Sequence, residues 1–549
     1  MPPLLRRSLY AVVVLLYIVP FPYHPGLRSP NELCRLWQTR ALVEYGTLDI
    51  NRALMDYGRV GDLSVKDGKY YPSKAPLMSF ADVPVYAVLR AIGGGQLYAV
   101  SELSLVYWSR FFLTVLPTLL MLIILRRFLG AYLPANVTDA LVVSYALGTL
   151  AFSYSLLFMS HQSTAVLLFS SFYALWRCGR GDWKEWGYLV AGAFAGATVA
   201  AEYTGALGVA VLFVYAAITF LIHRSVPMSR RVIGLLRAAG LATLGALPFI
   251  AALASYHKAA FGNPFTTGYK FLNDAAYQGW HVGGFLGIRL PDVNALGLSY
   301  FSRLRGLFML APFLLLALPG TVLLFRKTRA STASGSMIDP RATADATASD
   351  RALFWLIVFL LAGYTYFTSS FAYDSWGWTT GPRHMTGLVP FLLLPVGLLL
   401  VELKKTARLQ WMYGLAVGLC AASIVVTGLV TFVNYIPDDV SEPLFGLAAP
   451  LFRDGFFVPT VFRALGMAGG GALGTLPIVL VLVAAGGVVL LLTLSPGTAK
   501  GSPPIATGVA ALVVVLLFVG LHASLARHDD HDVAATKFLQ SVWLTPPGH

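Results

Sequence analysis

The sequence predicts an all-α polytopic membrane protein with about 13 transmembrane helices. Its 549 residues are 57% hydrophobic, and the mean hydropathy is +0.68. Apolar segments of roughly 18 residues or more recur along the chain, which is the length that crosses a bilayer as a helix. The segments are continuous rather than alternating in polarity, and this favours helices over the strands of a β-barrel.

Basic residues are concentrated at the ends of the apolar segments. The net charge is +14, although only 12% of the residues are charged. If the first apolar segment is retained with its N-terminus in the cytoplasm, clusters such as Arg126-Arg127 fall on the cytoplasmic side at five successive turns, and the C-terminus lies outside. The positive-inside rule accounts for this pattern, so the charge predicts a multi-pass protein of the plasma (inner) membrane and no nucleic-acid partner.

The order of polar and apolar segments predicts five parts. They are a first transmembrane helix (1–22), an extracytoplasmic loop with amphipathic or interfacial helices (23–103), a transmembrane bundle with an outer loop at 257–305 (104–325), a cytoplasmic linker (326–351), and C-terminal transmembrane helices with outer loops at 370–383 and 434–474 (352–549). The linker is rich in Ala, Ser and Thr, which is typical of a flexible connection.

The first loop contains an unusual concentration of carboxylates for a chain with so little charge: Glu32, Glu44, Asp49, Asp56, Asp62 and Asp67. Carboxylates clustered beside a bilayer predict an active site at the boundary between water and lipid. Within this loop, Asn31 is a candidate cap for a helix from Glu32 to about Tyr45, with Gly46 as its terminator. The apolar residues of that helix share one face, which predicts a helix lying along the membrane surface.

Four short motifs occur in a characteristic order. They are Pro30-Asn31-Glu32 with Arg35 and Gly46, then Tyr71-Pro72-Ser73-Lys74-Ala75-Pro76-Leu77, then Arg110 at the start of the second span, then Gly381-Pro382-Arg383-His384 followed by Leu388-Val389-Pro390. Together they resemble the polyprenyl-phosphate-dependent glycosyltransferases of the GT-C superfamily, nearest the protein O-mannosyltransferases and lipid A aminoarabinose transferases. The resemblance implies a GT-C type of fold and the transfer, with inversion, of a sugar from a polyprenyl-phosphate donor to a lipid, polysaccharide or protein acceptor.

The chain departs from that family at its first acidic position, which is Asn31 here. An amide cannot accept a proton at neutral pH. Glu32 is therefore the candidate general base. Two alternatives stay open: a later carboxylate of the loop takes this role, or the chain has lost transferase activity.

The candidate substrate-binding residues are Lys74, Arg110, Arg383, Tyr71, Asp62, Asp67, Asp374, Trp376 and His384. By resemblance, Lys74, Arg110 and Arg383 contact the donor phosphate, which suits the planar guanidinium group in particular. Asp62 and Asp67 are candidates for binding the sugar or a divalent ion, although Asp-Gly pairs most often form simple turns. Two carboxylates do not amount to a metal-ligand set, so no metal residues are predicted.

Two other classes of function fit a polytopic protein of this kind. A transporter or flippase for a lipid-linked saccharide predicts charges buried in the middle of spans, whereas most carboxylates here lie in loops or at span ends. A catalytically silent membrane scaffold is compatible with Asn31. His161 and Glu202 end predicted spans on the outer side and are further ionisable candidates.

Overall fold

The computed structural model describes residues 3–24, 27, 29–96, 99–222, 226–284, 287–330, 344–371, 377–464, 472–494 and 504–543. These residues are mostly helical, and the strands among them form one antiparallel hairpin. The helices up to the middle of the chain are α1 (Pro3–Ile18), α2 (Pro30–Arg40), α3 (Asn51–Tyr57), α4 (Leu77–Ile92), α5 (Glu102–Arg110), α6 (Leu116–Gly130), α7 (Ala135–Leu147), α8 (Leu150–Ser155), α9 (Ser160–Gly179), α10 (Trp186–Ala201), α11 (Gly205–Ile222) and α12 (Met228–Phe261).

The remaining helices are α13 (Ala275–Val282), α14 (Val293–Phe301), α15 (Leu307–Leu310), α16 (Ala317–Ala330), α17 (Ala344–Ser370), α18 (Leu393–Lys405), α19 (Gln410–Thr431), α20 (Ala449–Arg453), α21 (Val461–Ala464), α22 (Ala472–Thr493), α23 (Pro504–Leu525) and α24 (Asp530–Val542). Single π-helical turns occur at Ala41–Tyr45, Phe111–Val115 and Leu444–Ala448. Segments of 3₁₀ helix occur at Gly268–Phe271, Pro312–Leu316, Arg383–Gly387, Val389–Leu392 and Ala407–Leu409.

Within the described ranges, seven helices are long and apolar enough to cross a membrane. They are Glu102–Gly130, Gly205–Ile222, Met228–Phe261, Asp350–Ser370, Gln410–Thr431, Leu473–Thr493 and Ile505–Leu525. The all-α polytopic fold is confirmed, whereas the count of 13 is not. Two long apolar segments are broken in the structure: residues 138–158 are divided between α7 and α8, and residues 385–401 begin as 3₁₀ helix.

Buried apolar residues form a large cluster through the bundle and a smaller one beneath the first loop. In the bundle, α7 is buried on every side from Val137 to Leu147. The smaller cluster includes Leu36 and Trp37 of α2 and Tyr86 of α4. The first loop is therefore a packed layer on the bundle.

The helix predicted after Asn31 forms, but it is not a surface helix. It starts at Pro30 after Ser29, so Asn31 lies inside the helix and the prediction of Asn31 as its cap was wrong. Its end is as predicted, since Gly46 adopts the left-handed conformation with φ 65°. Residues 31–40 are all buried, because α4, α12 and the bundle cover the polar face as well as the apolar one.

The hairpin places two predicted site residues at its open end. Strands β1 (Leu63–Lys66) and β2 (Lys69–Pro72) pair with Leu63 opposite Pro72. Asp67 and Gly68 form the turn with positive φ angles of 52° and 74°, as expected for a tight hairpin turn. Asp62 and Lys74 therefore lie just beyond the other end of the strands, roughly 13 Å from the turn at about 3.4 Å per residue.

The segment after α12 packs onto the hairpin. Asn273 donates its backbone N–H to the Leu63 carbonyl at 2.9 Å, and the Ser64 hydroxyl donates to the Gly268 carbonyl at 2.7 Å. These contacts join segments that are distant in sequence, since Ser64 and Gly268 are 204 residues apart. As a result, Tyr269 is positioned over the side chain of Lys74.

Candidate functional site

A partly buried ion pair lies at the open end of the hairpin. Lys74 Nζ is 3.2 Å from Asp62 Oδ1, and the two side chains are 14% and 29% exposed. The Ser73 N–H donates to the Asp62 carbonyl at 2.9 Å, so the backbone holds the two residues in register. Lys74 Nζ also lies 5.8 Å from the centre of the Tyr269 ring. This pair is accessible, since neither side chain is fully enclosed.

Two arginines add positive charge around this pair. Arg35 of α2 is buried and donates to the Ala75 carbonyl at 3.2 Å and to the Ser160 hydroxyl at 3.1 Å. Arg383 begins a 3₁₀ segment, and its Nε is buried without a hydrogen-bond partner in the described part of the chain. Such a guanidinium group retains donors for an anion.

The charges of these groups affect one another. Burial by itself raises the pKa of Asp62, yet this pKa is lowered because the positive charges of Lys74, Arg383 and Arg35 favour the carboxylate. Burial by itself lowers the pKa of Lys74, yet this pKa is raised because the Asp62 carboxylate favours the ammonium group. Asp62 is thus an anion and Lys74 a cation throughout the neutral range.

A second polar group lies next to Arg383. Glu202 follows the C-terminus of α10, and His161 lies in the first turn of α9. Glu202 Oε2 is 2.9 Å from His161 Nδ1, and Glu202 Oε1 is 3.3 Å from His384 Nδ1. Burial lowers the pKa of His384 to about 4, with Arg383 acting in the same direction, so this imidazole is neutral at physiological pH. The hydroxyl of Ser160 connects the two groups, because it accepts from Arg35 and donates to Glu202.

Aromatic side chains enclose these charges on one side. Tyr269 stacks on His281 with ring centres 4.4 Å apart, and it meets Tyr203 edge-on at 5.8 Å. His281 and His384 both contact the ring of Phe371. Aromatic faces beside polar groups suit the binding of a sugar ring. We call the set of Asp62, Lys74, Arg35, Arg383, Glu202, His161 and His384 the charged cluster.

Glu32 and Arg110 are bonded to each other, and in the described residues neither forms an ion pair with a member of the charged cluster. Arg110 Nε and Nη2 donate to the two carboxylate oxygens of Glu32 at 2.9 and 3.0 Å. The same carboxylate accepts the Phe158 N–H at 2.6 Å and the Tyr435 hydroxyl. Both side chains are 3% exposed. With its oxygens fully engaged, Glu32 is poorly placed for the predicted role of general base, and Arg110 has no free charge for the predicted phosphate contact.

The side chain of Asn31 also makes a structural contact, because its oxygen accepts a hydrogen bond from Arg35 Nε at 3.3 Å. Tyr71 is buried and packs edge-on against Phe261 of α12, which suits packing rather than the predicted substrate contact. Asp67 is exposed in the hairpin turn, away from Asp62. The predicted site residues Asp374 and Trp376 lie outside the described residues.

Sequence reasoning did not assemble the charged cluster. His161 and Glu202 are 41 residues apart, and His384 follows much later, so no ligand-like spacing connects them. Tyr269 was not predicted at all. The one signal available was that each ionisable residue interrupts or ends an apolar segment, which marks a candidate but does not identify its partners.

The fold and the cluster describe a helical membrane protein with a cationic site next to a packed polar loop. Its structure is similar to that of ArnT from Cupriavidus metallidurans bound to undecaprenyl phosphate, with a TM-score of 0.48, 14% identity, and coverage of 95% of this chain and 78% of that one. The corresponding values for the apo state of the same ArnT are 0.45, 14%, 94% and 77%.

The arabinosyltransferase EmbB from Mycobacterium smegmatis is also similar, with a TM-score of 0.41, 13% identity, and coverage of 95% of this chain and 41% of that one. No protein-family model matches the sequence, and no curated protein does. TM-scores below 0.5 at such identities do not define an activity for this chain. Its proposed function therefore rests on its own residues.

Proposed function

We propose that this chain is an integral-membrane glycosyltransferase that moves a sugar from a polyprenyl-phosphate donor to an acceptor. The proposed reaction takes place on the extracytoplasmic face of the plasma (inner) membrane. The acceptor is a hydroxyl of a lipid, a polysaccharide or a protein. The order of the loop motifs, which resembles that of GT-C enzymes, supports the class of donor.

One observation carries this proposal: three cations lie near two carboxylates, and in the described residues the Nε of Arg383 has no hydrogen-bond partner. Lys74, Arg35 and Arg383 exceed Asp62 and Glu202 in charge. A guanidinium with a buried, unused N–H and an ammonium with partial exposure are suitable donors for phosphate oxygens. The single negative charge of a phosphate diester, the form of the proposed donor, would balance this excess.

In the proposed reaction, Lys74 and Arg383 bind the donor phosphate and stabilise the negative charge that it gains as the sugar leaves. Fixed donors aimed at a leaving oxygen typically contribute about 10²–10³-fold to rate. The acceptor oxygen forms a bond to the anomeric carbon while the bond from that carbon to the phosphate oxygen breaks. A direct displacement of this kind inverts the anomeric centre.

Asp62 is the proposed general base in place of Glu32. Its side chain is 29% exposed, and its ion-pair partner in the described residues is the same lysine that the phosphate would attract. When Lys74 turns to the phosphate, Asp62 loses the nearest of the positive charges that favour its ionised form and gains an anionic neighbour. Both changes raise its affinity for a proton, so donor binding itself would prepare Asp62 to take the acceptor proton.

A transfer assay tests the proposal. The full chain, purified in detergent and returned to liposomes, is incubated with radiolabelled polyprenyl-phosphate sugars and an extract of envelope lipids, glycans and proteins. We expect label to enter a chloroform-insoluble or lipid-linked product in a new glycosidic bond, and Arg383→Gln to lower the rate by about 10²-fold. The matched control is Arg453→Gln, since Arg453 is 77% exposed and pairs only locally with Asp454.

Three outcomes would contradict the proposal. Movement of the labelled lipid across sealed liposomes without a new glycosidic bond would indicate a flippase. Equal rates for the wild type and Arg383→Gln would separate any transfer from the charged cluster. If a broad panel of donors gives no product and no bound lipid phosphate, the chain is a scaffold without transferase activity.

A further inference from the structure

Each carboxylate oxygen of Glu202 lies close to one imidazole nitrogen and one hydroxyl group. Oε2 lies 2.9 Å from His161 Nδ1 and 3.2 Å from the Ser160 hydroxyl. Oε1 lies 3.3 Å from His384 Nδ1 and 3.2 Å from the Thr204 hydroxyl. One donor atom from each of His161, Glu202 and His384 lies within 4.8 Å of the other two.

Three separate elements hold these side chains. His161 is in the first turn of α9, Glu202 directly follows α10, and His384 is in the 3₁₀ segment after Arg383. Helices α9 and α10 pack against each other, and α9 also packs against the 3₁₀ segment. The three donors are thus fixed by packed secondary structure, which favours a preformed site.

Hydrogen bonding alone leaves this group incompletely satisfied. Glu202 is 13% exposed in its side chain, and in the described residues its ion-pair partners are the two imidazoles. A buried carboxylate is costly unless a cation neutralises it. His161 is 5% exposed in its side chain, and its Nε2 is buried with no hydrogen-bond partner. The group therefore combines a largely buried carboxylate with an imidazole nitrogen that has no hydrogen-bond partner in the described residues.

The ligand types indicate which cation fits. Two imidazole nitrogens and one carboxylate oxygen are characteristic of zinc and related transition-metal sites, whereas Mg²⁺ and Ca²⁺ prefer oxygen ligands. Ligands at about 2.0–2.1 Å from a tetrahedral zinc ion lie roughly 3.4 Å apart. Donor atoms that already lie within 4.8 Å need only small side-chain adjustments to reach that spacing.

We propose that His161, Glu202 and His384 bind a divalent transition-metal ion such as Zn²⁺. Three protein ligands leave a fourth position for water or for an oxygen of a ligand. The neighbouring cations Arg35 and Arg383 repel a metal ion, so an anion at that position would strengthen metal binding. The proposal concerns binding and does not depend on glycosyl transfer, because its test needs no sugar donor.

Metal binding is measured on the full chain in detergent, without a polyhistidine tag. After removal of metals with a chelator, the protein is dialysed against Zn²⁺, and bound metal is determined by mass spectrometry. We expect about one equivalent of Zn²⁺, and an absorption band typical of nitrogen and oxygen ligands when Co²⁺ replaces it. Zn²⁺ is also expected to raise the thermal unfolding temperature of the wild type.

His161→Asn and His384→Asn are the informative variants. The Asn amide can still donate to Glu202 in place of Nδ1, so the packing is largely kept while the imidazole ligand is lost. Each variant is expected to weaken Zn²⁺ binding by roughly 100-fold or more and to abolish the metal-dependent rise in unfolding temperature. The matched control is His531→Asn, because the His531 side chain is 70% exposed and lies in α24.

Absence of stoichiometric Zn²⁺ in the wild type would overturn the proposal. Equal Zn²⁺ retention by the wild type and by both variants would also overturn it, since the metal would then be adventitious. If a variant does not fold, Glu202→Gln provides a second measurement, because Gln retains the length of Glu202 and one acceptor oxygen but lacks its charge. Transfer activity without metal binding would contradict the proposed metal site and leave the proposed function intact.

Discussion

Two carboxylate–cation pairs involve residues of the first loop, and they differ in burial and in hydrogen bonding. Glu32 and Arg110 are each 3% exposed and share two hydrogen bonds. Asp62 and Lys74 are 29% and 14% exposed and share one contact of 3.2 Å. Sequence reasoning made all four residues candidates, but only the side chains of the second pair are partly exposed.

The difference shows how one kind of residue pair takes two roles. A buried ion pair whose oxygens are fully used fixes the position of a loop, because any movement would leave charges unpaired. A partly exposed pair can exchange partners at little cost, since water and ions compete for it. We therefore expect Glu32 and Arg110 to determine stability, and Asp62 and Lys74 to determine activity.

The largest expected effect is on stability, from Glu32→Gln. This change leaves the Arg110 guanidinium buried without a counter-charge, which typically costs about 3–5 kcal/mol in the free energy of unfolding. Unfolding in mixed micelles, followed by tryptophan fluorescence, measures the loss. Asp62→Asn is the control and is expected to change this free energy by less than about 1 kcal/mol.

A double variant sharpens this prediction. Glu32→Leu with Arg110→Met replaces both charges by apolar groups, so it is expected to be more stable than either single variant. Folded Glu32→Gln should retain transfer activity per molecule. A well-folded Glu32→Gln without transfer would restore Glu32 as the general base.

The next effect is on activity, from Lys74→Gln. If Lys74 holds the donor phosphate, the loss of its charge should lower kcat/KM by about 10²-fold or more, while Lys74→Arg should keep part of the activity. The initial rate of transfer measures this change. Lys69→Gln is the matched control, since Lys69 lies on the same hairpin with 59% side-chain exposure. Similar rates for the two Gln variants would exclude Lys74 from the site.

Asp62→Asn tests the general base. Removal of a base typically lowers the rate by about 10²–10⁴-fold, and here kcat should fall more than the affinity for the donor lipid. Donor affinity, measured by displacement of a fluorescent polyprenyl phosphate, should hold or increase, because Lys74 is then free to bind phosphate. Asp67→Asn is the control, as Asn tolerates the positive φ of the turn. Weakened donor binding with unchanged kcat would point to a binding role for Asp62 instead.

The sequence predicted the class of fold better than the site. Apolar periodicity depends on residues within one segment, whereas the contacts of each side chain depend on segments far away in sequence. The helix from Pro30 and its end at Gly46 follow from residues within one segment. The burial of its polar face depends on α4, α12 and the bundle, which lie far away in sequence. A polar helix face that the sequence predicts to be exposed can therefore be buried in the fold.

The same limit applies to the charges. Lys74 and Arg383 were predicted from motifs, but no sequence signal showed that Asp62 pairs with Lys74 while Glu32 pairs with Arg110. Long-range contacts distinguish the two pairs. One of them joins Tyr435 and Glu32, which are 403 residues apart. Motif order identified the residues, and only the fold assigned their partners.

The smallest expected effect is the pH dependence of stability from the exposed pair. The pKa of Asp62 is lowered, so the pair stabilises the fold above the ordinary Asp pKa of 3.8, and this contribution is lost as the pH falls through the folded pKa. The pKa of Lys74 is raised, so the contribution is present below 10.5 and is lost as the pH rises through the folded value. The difference in unfolding temperature between the wild type and Asp62→Asn should therefore be constant from about pH 5 to about pH 9 and should shrink in acid. A difference that varies within the neutral range would mean that Asp62 titrates there and that its pairing with Lys74 is weaker than its contacts indicate.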